Sequence, residues 1–257
     1  MIRIERRGGL ACFILDRPER RNAFDYVMAR TLRDAIVAAQ GDPAVRVLVI
    51  KGAADVFSTG RDLKAAAAAR GPNDPSFTDF HQVWSDIFHQ LHRSSLPSVA
   101  VVRGYAVAGG FTLAMGCDFV LAERSAQFGA FEMRHGFPAA VCTPILARLI
   151  GARLGLEFAL FGELIPAERL LAAGLINHVA SDAGELAKLE AEFVGRLAAL
   201  KPEAVKATRD LFRASENMPL DHALDMGRQL NQLIEATGGF ARAGNRLAKP
   251  PQDPHGT

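Results

Sequence analysis

Residues 98–118 read SVAVVRGYAVAGGFTLAMGCD. A β-branched apolar run, Val99 to Val102, passes through Gly104 to Ala108-Gly109-Gly110, and the apolar segment Phe111–Met115 follows at once. The pattern predicts a buried strand, a glycine turn and a helix that begins on the glycines. Such a junction leaves backbone N–H groups unpaired at the positive end of the helix dipole. Glycine removes the Cβ that would keep a ligand away from them. Taken alone, the stretch fits either a tightly packed turn or a site for an anion or developing oxyanion.

The chain around it is of ordinary globular make-up. Its 257 residues are 49% hydrophobic and 23% charged, which supports a large core, while the order strand, strand, helix, strand in its first 50 residues points to an α/β class. A net charge of +2 without a long basic tract gives no electrostatic case for nucleic acid. Cys12, Cys117 and Cys142 are scattered and odd in number, which favours a reduced intracellular protein over a disulfide scaffold. The charged start MIRIERRGG has no secretory h-region and no apolar run is long enough for a membrane span, so a cytoplasmic location is expected.

Outward from the glycine stretch, residues 1–16 read as a hairpin turning at Gly8-Gly9. Asn22 reads as the N-cap of a helix with apolar positions at Phe24, Val27, Met28, Leu32, Ala35 and Ile36. VRVLVI (Val45–Ile50) is a buried strand, and DVFSTGRDLK (Asp55–Lys64) repeats the strand–glycine–helix logic, with Asp62 as a capping carboxylate. Alanines 65–69 and the loop GPNDPS suggest local mobility, and Phe77–Leu91 resumes helical spacing. Its histidines His81, His89 and His92 read as surface residues. Asp118, in an apolar setting, reads as a turn or cap anchor. Glu132 lies between apolar neighbours after a strand. Such surroundings raise a carboxyl pKa, as a general acid/base requires, unless Arg134 or another cation pairs with it. The chain then divides into an α/β part to about Ala180 and a helical part from Ala183 to Leu247, with KPPQDPHGT as a disordered tail.

Taken in order, RPERRNAFD, FSTGRDLK, GYAVAGGFTLAMGCDFVLAE, AQFGAFEMRHGFP and ARLIGARLGLEFALFGELIPAERLLAAGLINHV resemble the crotonase (enoyl-CoA hydratase/isomerase) superfamily across nearly the whole chain. The resemblance implies a spiral of ββα repeats carrying an acyl-CoA site in residues 1–180, and a helical trimerisation region in 181–250 ahead of a tail at 251–257. Homotrimers or dimers of trimers are implied, with no permanently bound cofactor and no metal; coenzyme A enters as part of the substrate thioester. Two backbone N–H groups, of Arg61 and Gly109, would form the oxyanion hole for the thioester oxygen. Arg21, Ala23, Ser58, Gly60, Arg61, Asp62, Leu63 and Lys64 match the family's CoA site, where the Arg61 side chain would lie near the CoA phosphates.

Two departures bear on activity. Typical hydratases carry two glutamates. The second matches Glu132, but the first falls on Thr112, which cannot act as a carboxylate base though it could position a water. The C-terminal FARAGNRLAKPP is shortened relative to the family and lacks the phenylalanine the family often shows further along it, which bears on any C-terminal contact to CoA. A single glutamate suits a proton shuttle between two carbons, so double-bond isomerisation and hydration of an enoyl-CoA are close rivals, with isomerisation favoured. A CoA-ester-binding protein with weak or no hydratase activity is the alternative. A serine hydrolase would have to use Ser58, which carries no nucleophile signature.

Overall fold

A computed structural model describes residues 1–68, 71, 74 and 78–242. The expectations for residues 69–77 other than 71 and 74, for the end of FARAGNRLAKPP and for the tail lie outside the described residues.

The chain forms two compact units, Met1–Pro202 and Glu203–Thr257. The first opens with the expected hairpin, β1 (Ile2–Arg7) and β2 (Leu10–Leu15), closed by Gly8 and Gly9, both at positive φ. From β2 onward the sheet is parallel: β2, β3 (Val47–Gly52), β4 (Ser98–Val102), β6 (Phe119–Glu123) and β9 (His178–Ala180). A smaller sheet joins β5 (Tyr105–Val107) to β7 (Gln127–Gly129) in parallel and β7 to β8 (Ile165–Pro166) antiparallel.

Both faces of the larger sheet are covered, which explains the unbroken apolar runs of β3 and β4. Leu48, Ile50, Ala100 and Val102 point to one core, with α1 (Tyr26–Gln40) and α3 (Phe80–Arg93) packed together over it. The alternate residues Val47, Val49, Val99 and Val101 point to a second core with Leu186 and Val194 of α8 (Ala183–Ala198). This two-residue alternation fixes the strand register, because a slip of one would exchange the two cores.

The Asn22 expectation is corrected. Asp25 caps α1, its Oδ1 accepting from Met28 N at 2.8 Å. Asn22 sits three residues earlier at positive φ, fully buried, and its amide nitrogen donates to the carbonyls of Ala53 (3.1 Å) and Val56 (2.7 Å). Its side chain satisfies loop carbonyls that no strand reaches. Asp118 is the anchor expected: its Oδ2 accepts from Ser98 N at 2.7 Å and Ser98 Oγ at 2.6 Å, which ties β4 to β6.

The remaining helices of the first unit are α2 (Leu63–Ala67), α4 (Gly109–Met115), α5 (Cys142–Leu149), α6 (Ala152–Phe161) and α7 (Ala167–Ala172). The second unit contains α9 (Pro202–Ser215), which starts at the boundary, and α10 (Leu220–Ala236), with Phe212, Leu220, Leu224 and Leu233 strongly exposed. Among the described residues no helix is long and apolar enough to cross a membrane.

Candidate active site

The strand–turn–helix reading of residues 98–118 holds: β4 and β5 lead through Ala108 directly into α4, whose first residues are Gly109 and Gly110. Ala108 has φ +51° and ψ −126°, a conformation that costs a residue bearing a Cβ about 1–3 kcal/mol and collects at functional sites. Its N–H, bonded to Gly129 O at 2.8 Å, helps hold it there.

The FSTGRDLK loop lies directly against this junction. Ser58 bridges to Ala106, with Ser58 N donating to Tyr105 O and Val107 N to Ser58 O. A Cβ added to Gly110 would fall 2.1 Å from Ser58 O, and one added to Gly60 would fall 2.5 Å from Gly109 N. Only glycine permits this approach. The third strip is RPERRNAFD: Phe24 N donates to Gly60 O at 2.7 Å and Asp62 N to Phe24 O at 2.8 Å, on either side of Arg61. Arg17 clamps the assembly, reaching Asp25 and Asp62 at 3.1 Å each and Ala23 O at 2.8 Å. Among the described residues, the N–H groups of Arg61 and Gly109 donate to no protein acceptor. Two distant motifs thus bring two free amides to adjoining loops.

Glu132 lies in a 3-10 turn, Phe131–His135. The sequence left open an ion pair with Arg134, but that guanidinium stacks on the Phe131 ring at 4.1 Å. Glu132 Oε2 is buried without a hydrogen-bond partner. Burial raises the carboxyl above its ordinary pKa; its own backbone N–H and the nearby His135 pull it partly back. Cys142, at the start of α5, is buried within the field of Glu132. Burial pushes its thiol to about 12, opposed by a hydrogen bond with Thr112. Thr112 is itself 2% exposed, and its hydroxyl donates to Ala108 O at 3.3 Å. A hydroxyl has one proton to give, and that of Thr112 goes to its own helix, which leaves its oxygen only as an acceptor. Glu132 is the ionisable oxygen acid this cluster holds.

The CoA-site residues gather on the same three strips in two kinds. Ser58 is fully buried, donating from Oγ to Asn22 O at 2.8 Å and accepting from Gly60 N at 3.1 Å, which is a scaffold role and leaves no nucleophile. Asp62 caps α2 through Ala65 N at 3.0 Å, and the Arg17 guanidinium helps hold its carboxyl below the usual range against the opposing effect of burial. Ala23 and Gly60 are buried in the same packing, whereas Arg21, Leu63 and Lys64 are exposed. The Arg61 guanidinium lies 4.3 Å over the Phe80 ring and contacts His81 Nε2 at 3.0 Å. His81 is exposed on α3, as expected, and also meets this guanidinium. Nothing in its local sequence signals this, because the partner lies 20 residues earlier.

A parallel sheet bearing a small second sheet, with a helix springing from paired glycines at their junction, is the architecture of crotonase-fold acyl-CoA enzymes. The chain belongs to the enoyl-CoA hydratase/isomerase family, whose model matches residues 5–240. It is 32% identical over 240 residues to a 2,3-dehydroadipyl-CoA hydratase of Escherichia coli K12, covering 91% of this chain and 90% of the relative. It is 31% identical over 222 residues to a carnitinyl-CoA dehydratase of Salmonella typhi, covering 86% and 83%. A solved enoyl-CoA hydratase from Polaromonas superposes with a TM-score of 0.86 at 28% identity, covering 98% of each chain. Relatives named hydratase and dehydratase make a lyase-type acyl-CoA enzyme the class to which this chain is similar.

Proposed function

We propose that the chain is an enoyl-CoA enzyme in which the Arg61 and Gly109 amides hold the thioester oxygen while Glu132 alone carries the proton. The observation that supports this most is Glu132 Oε2, buried without a partner in a site whose other polar side chain, Thr112, is already engaged. Removing a proton beside a thioester carbonyl moves negative charge onto the carbonyl oxygen. Two preorganised N–H donors stabilise that enolate, each such donor contributing about 2.7–4 kcal/mol to lowering the barrier. Glu132 takes a proton from C2 of a 3-enoyl-CoA, the electrons delocalise through the dienolate, and protonated Glu132 returns the proton to C4. The C3–C4 double bond is lost, the C2–C3 double bond forms, and no water is consumed. Desolvation keeps the Glu132 pKa raised and so suits it to both directions of transfer.

The relatives' names favour a second reading, hydration of a 2-enoyl-CoA with Thr112 holding the water. Purified protein separates the two. The isomerase reading expects a 3-enoyl-CoA to be isomerised faster than crotonyl-CoA is hydrated, and the reverse order of rates overturns it. Binding of CoA esters without either turnover would favour the binding-protein alternative.

Arg21, Ala23 and residues 58–64 receive the CoA moiety. The chain self-associates as a homotrimer or a dimer of trimers through its helical C-terminal region. The exposed Phe212, Leu220, Leu224 and Leu233 support association, since apolar side chains this exposed on neighbouring helices mark an interface. Light scattering reads the mass directly.

A further inference from the structure

The Arg61 side chain has no role in the proton transfer above, because the oxyanion donor at that position is its backbone N–H. Its surroundings differ from those of three other partly buried arginines. Arg17 meets Asp25 and Asp62, Arg33 meets Asp34 and Asp86, and Arg103 meets Asp55 and Glu123. Among the described residues Arg61 has no carboxylate partner: its contacts are the Phe80 face and His81 Nε2. The adjacent Asp62 carboxylate is turned away to Arg17 and Ala65 N. A guanidinium carries five N–H donors, and the one acceptor found here leaves most of the fork open. Burial lowers the pKa of this guanidinium, an indication of desolvation without a compensating anion. His81 is exposed, so the pair opens to solvent.

The pair is also linked to the thioester end of the site. Phe80 stacks on Trp84 (centroids 6.1 Å, planes 11° apart), and a Cβ on Gly109 would touch the Trp84 ring at 3.1 Å. One aromatic layer therefore runs from the Arg61 guanidinium to the Gly109 amide. We infer that Arg61 and His81 form a receptor for a carboxylate carried on the acyl group of the substrate, which makes a carboxylate-bearing enoyl-CoA the preferred class. This rests on the acyl-CoA reading of the site and deepens it. A CoA phosphate is a poorer fit, because the whole pantetheine arm separates the thioester from the nearest phosphate. Only one arginine side chain separates this guanidinium from the amide that would hold the thioester oxygen. Planar guanidinium and planar carboxylate pair through two parallel hydrogen bonds, which a lysine cannot reproduce.

The test compares kcat/KM for two enoyl-CoA esters of equal length, one ending in a methyl group and one in a carboxylate, in the wild type, Arg61→Met, Arg61→Lys and His81→Leu. Thermal melts confirm that each variant is folded, and His81→Leu keeps the test open if the Arg61 variants are not. The expected result is a wild-type preference for the carboxylate ester that falls about tenfold or more in Arg61→Met, and is reduced in Arg61→Lys and His81→Leu. An unchanged preference in every folded variant overturns the inference. So does a loss shared by both CoA esters and absent from the matching pantetheine thioesters, which would assign the cation to the CoA phosphates. If the methyl-ended ester reacts while the preference stays flat, the receptor alone fails. If neither ester binds, the acyl-CoA reading fails with it.

Discussion

Gly60 and Gly109 meet so closely that a single methyl group on Gly60 would sit 2.5 Å from the Gly109 nitrogen. The two residues lie 49 positions apart in sequence; Gly109 carries one of the free amides and Gly60 directly precedes the other. Their contact brings the Arg61 and Gly109 N–H groups onto adjoining backbone.

Gly60→Ala tests that contact. Gly60 has φ +83°, so alanine there meets both backbone strain and the Gly109 amide. The expected cost is about 1–3 kcal/mol of stability for the overpacking alone. Turnover should fall by about 10²-fold or more, the loss seen when one oxyanion donor is removed. Denaturant melts and steady-state kinetics read the two effects; a fully active, equally stable variant would show that the loops do not depend on this approach.

Asn22→Ala tests the support beneath the same loop. It strips the hydrogen bonds to Ala53 O and Val56 O and the acceptor of Arg17 N, leaving buried polar groups unmet. A loss of about 1–3 kcal/mol is expected. Activity should fall as well, because the backbone freed by this loss carries the Asn22 carbonyl that anchors Ser58 Oγ.

Much of this was legible in sequence because it depends on local pattern. The alternating cores follow from apolar strand runs, and α4 begins on the glycines because Gly109-Gly110 follows a strand directly. Glu132 stood out as a carboxylate among apolar neighbours. What escaped depends on partners far away in the chain. Asn22 looks like a helix cap until Ala53 and Val56 are placed beside it. The contact of exposed His81 with Arg61 has no local sequence signal, and the Thr112 proton looks available to water until Ala108 O claims it.

Glu132→Gln should change stability with a definite sign. The folded-state pKa of Glu132 is raised, so its contribution to stability is full below the ordinary glutamate value of about 4.3 and is lost as pH rises through the folded value. The neutral amide suffers no such loss. The variant should therefore melt higher than wild type near neutral pH, and the gap should close toward about pH 4. A variant that melts lower than wild type at neutral pH would point to an ion pair that the structure lacks.

The same shift sets the pH profile. Glu132 acts as a base only when ionised, so kcat/KM should rise with pH along an acidic limb lying above the ordinary glutamate value. A limb at or below about 4.3 would mean that the working carboxylate is solvated or paired.

The central claim, that Glu132 takes a proton from a thioester held by the Arg61 and Gly109 amides, can be tested without choosing between isomerisation and hydration. Saturated butyryl-CoA can neither isomerise nor be hydrated, yet its α-protons exchange with D2O whenever the enolate forms. NMR of the exchange should show wild type labelling C2, and Glu132→Gln slower by about 10²–10⁴-fold while still binding the ester. Exchange at an undiminished rate in Glu132→Gln would contradict the account.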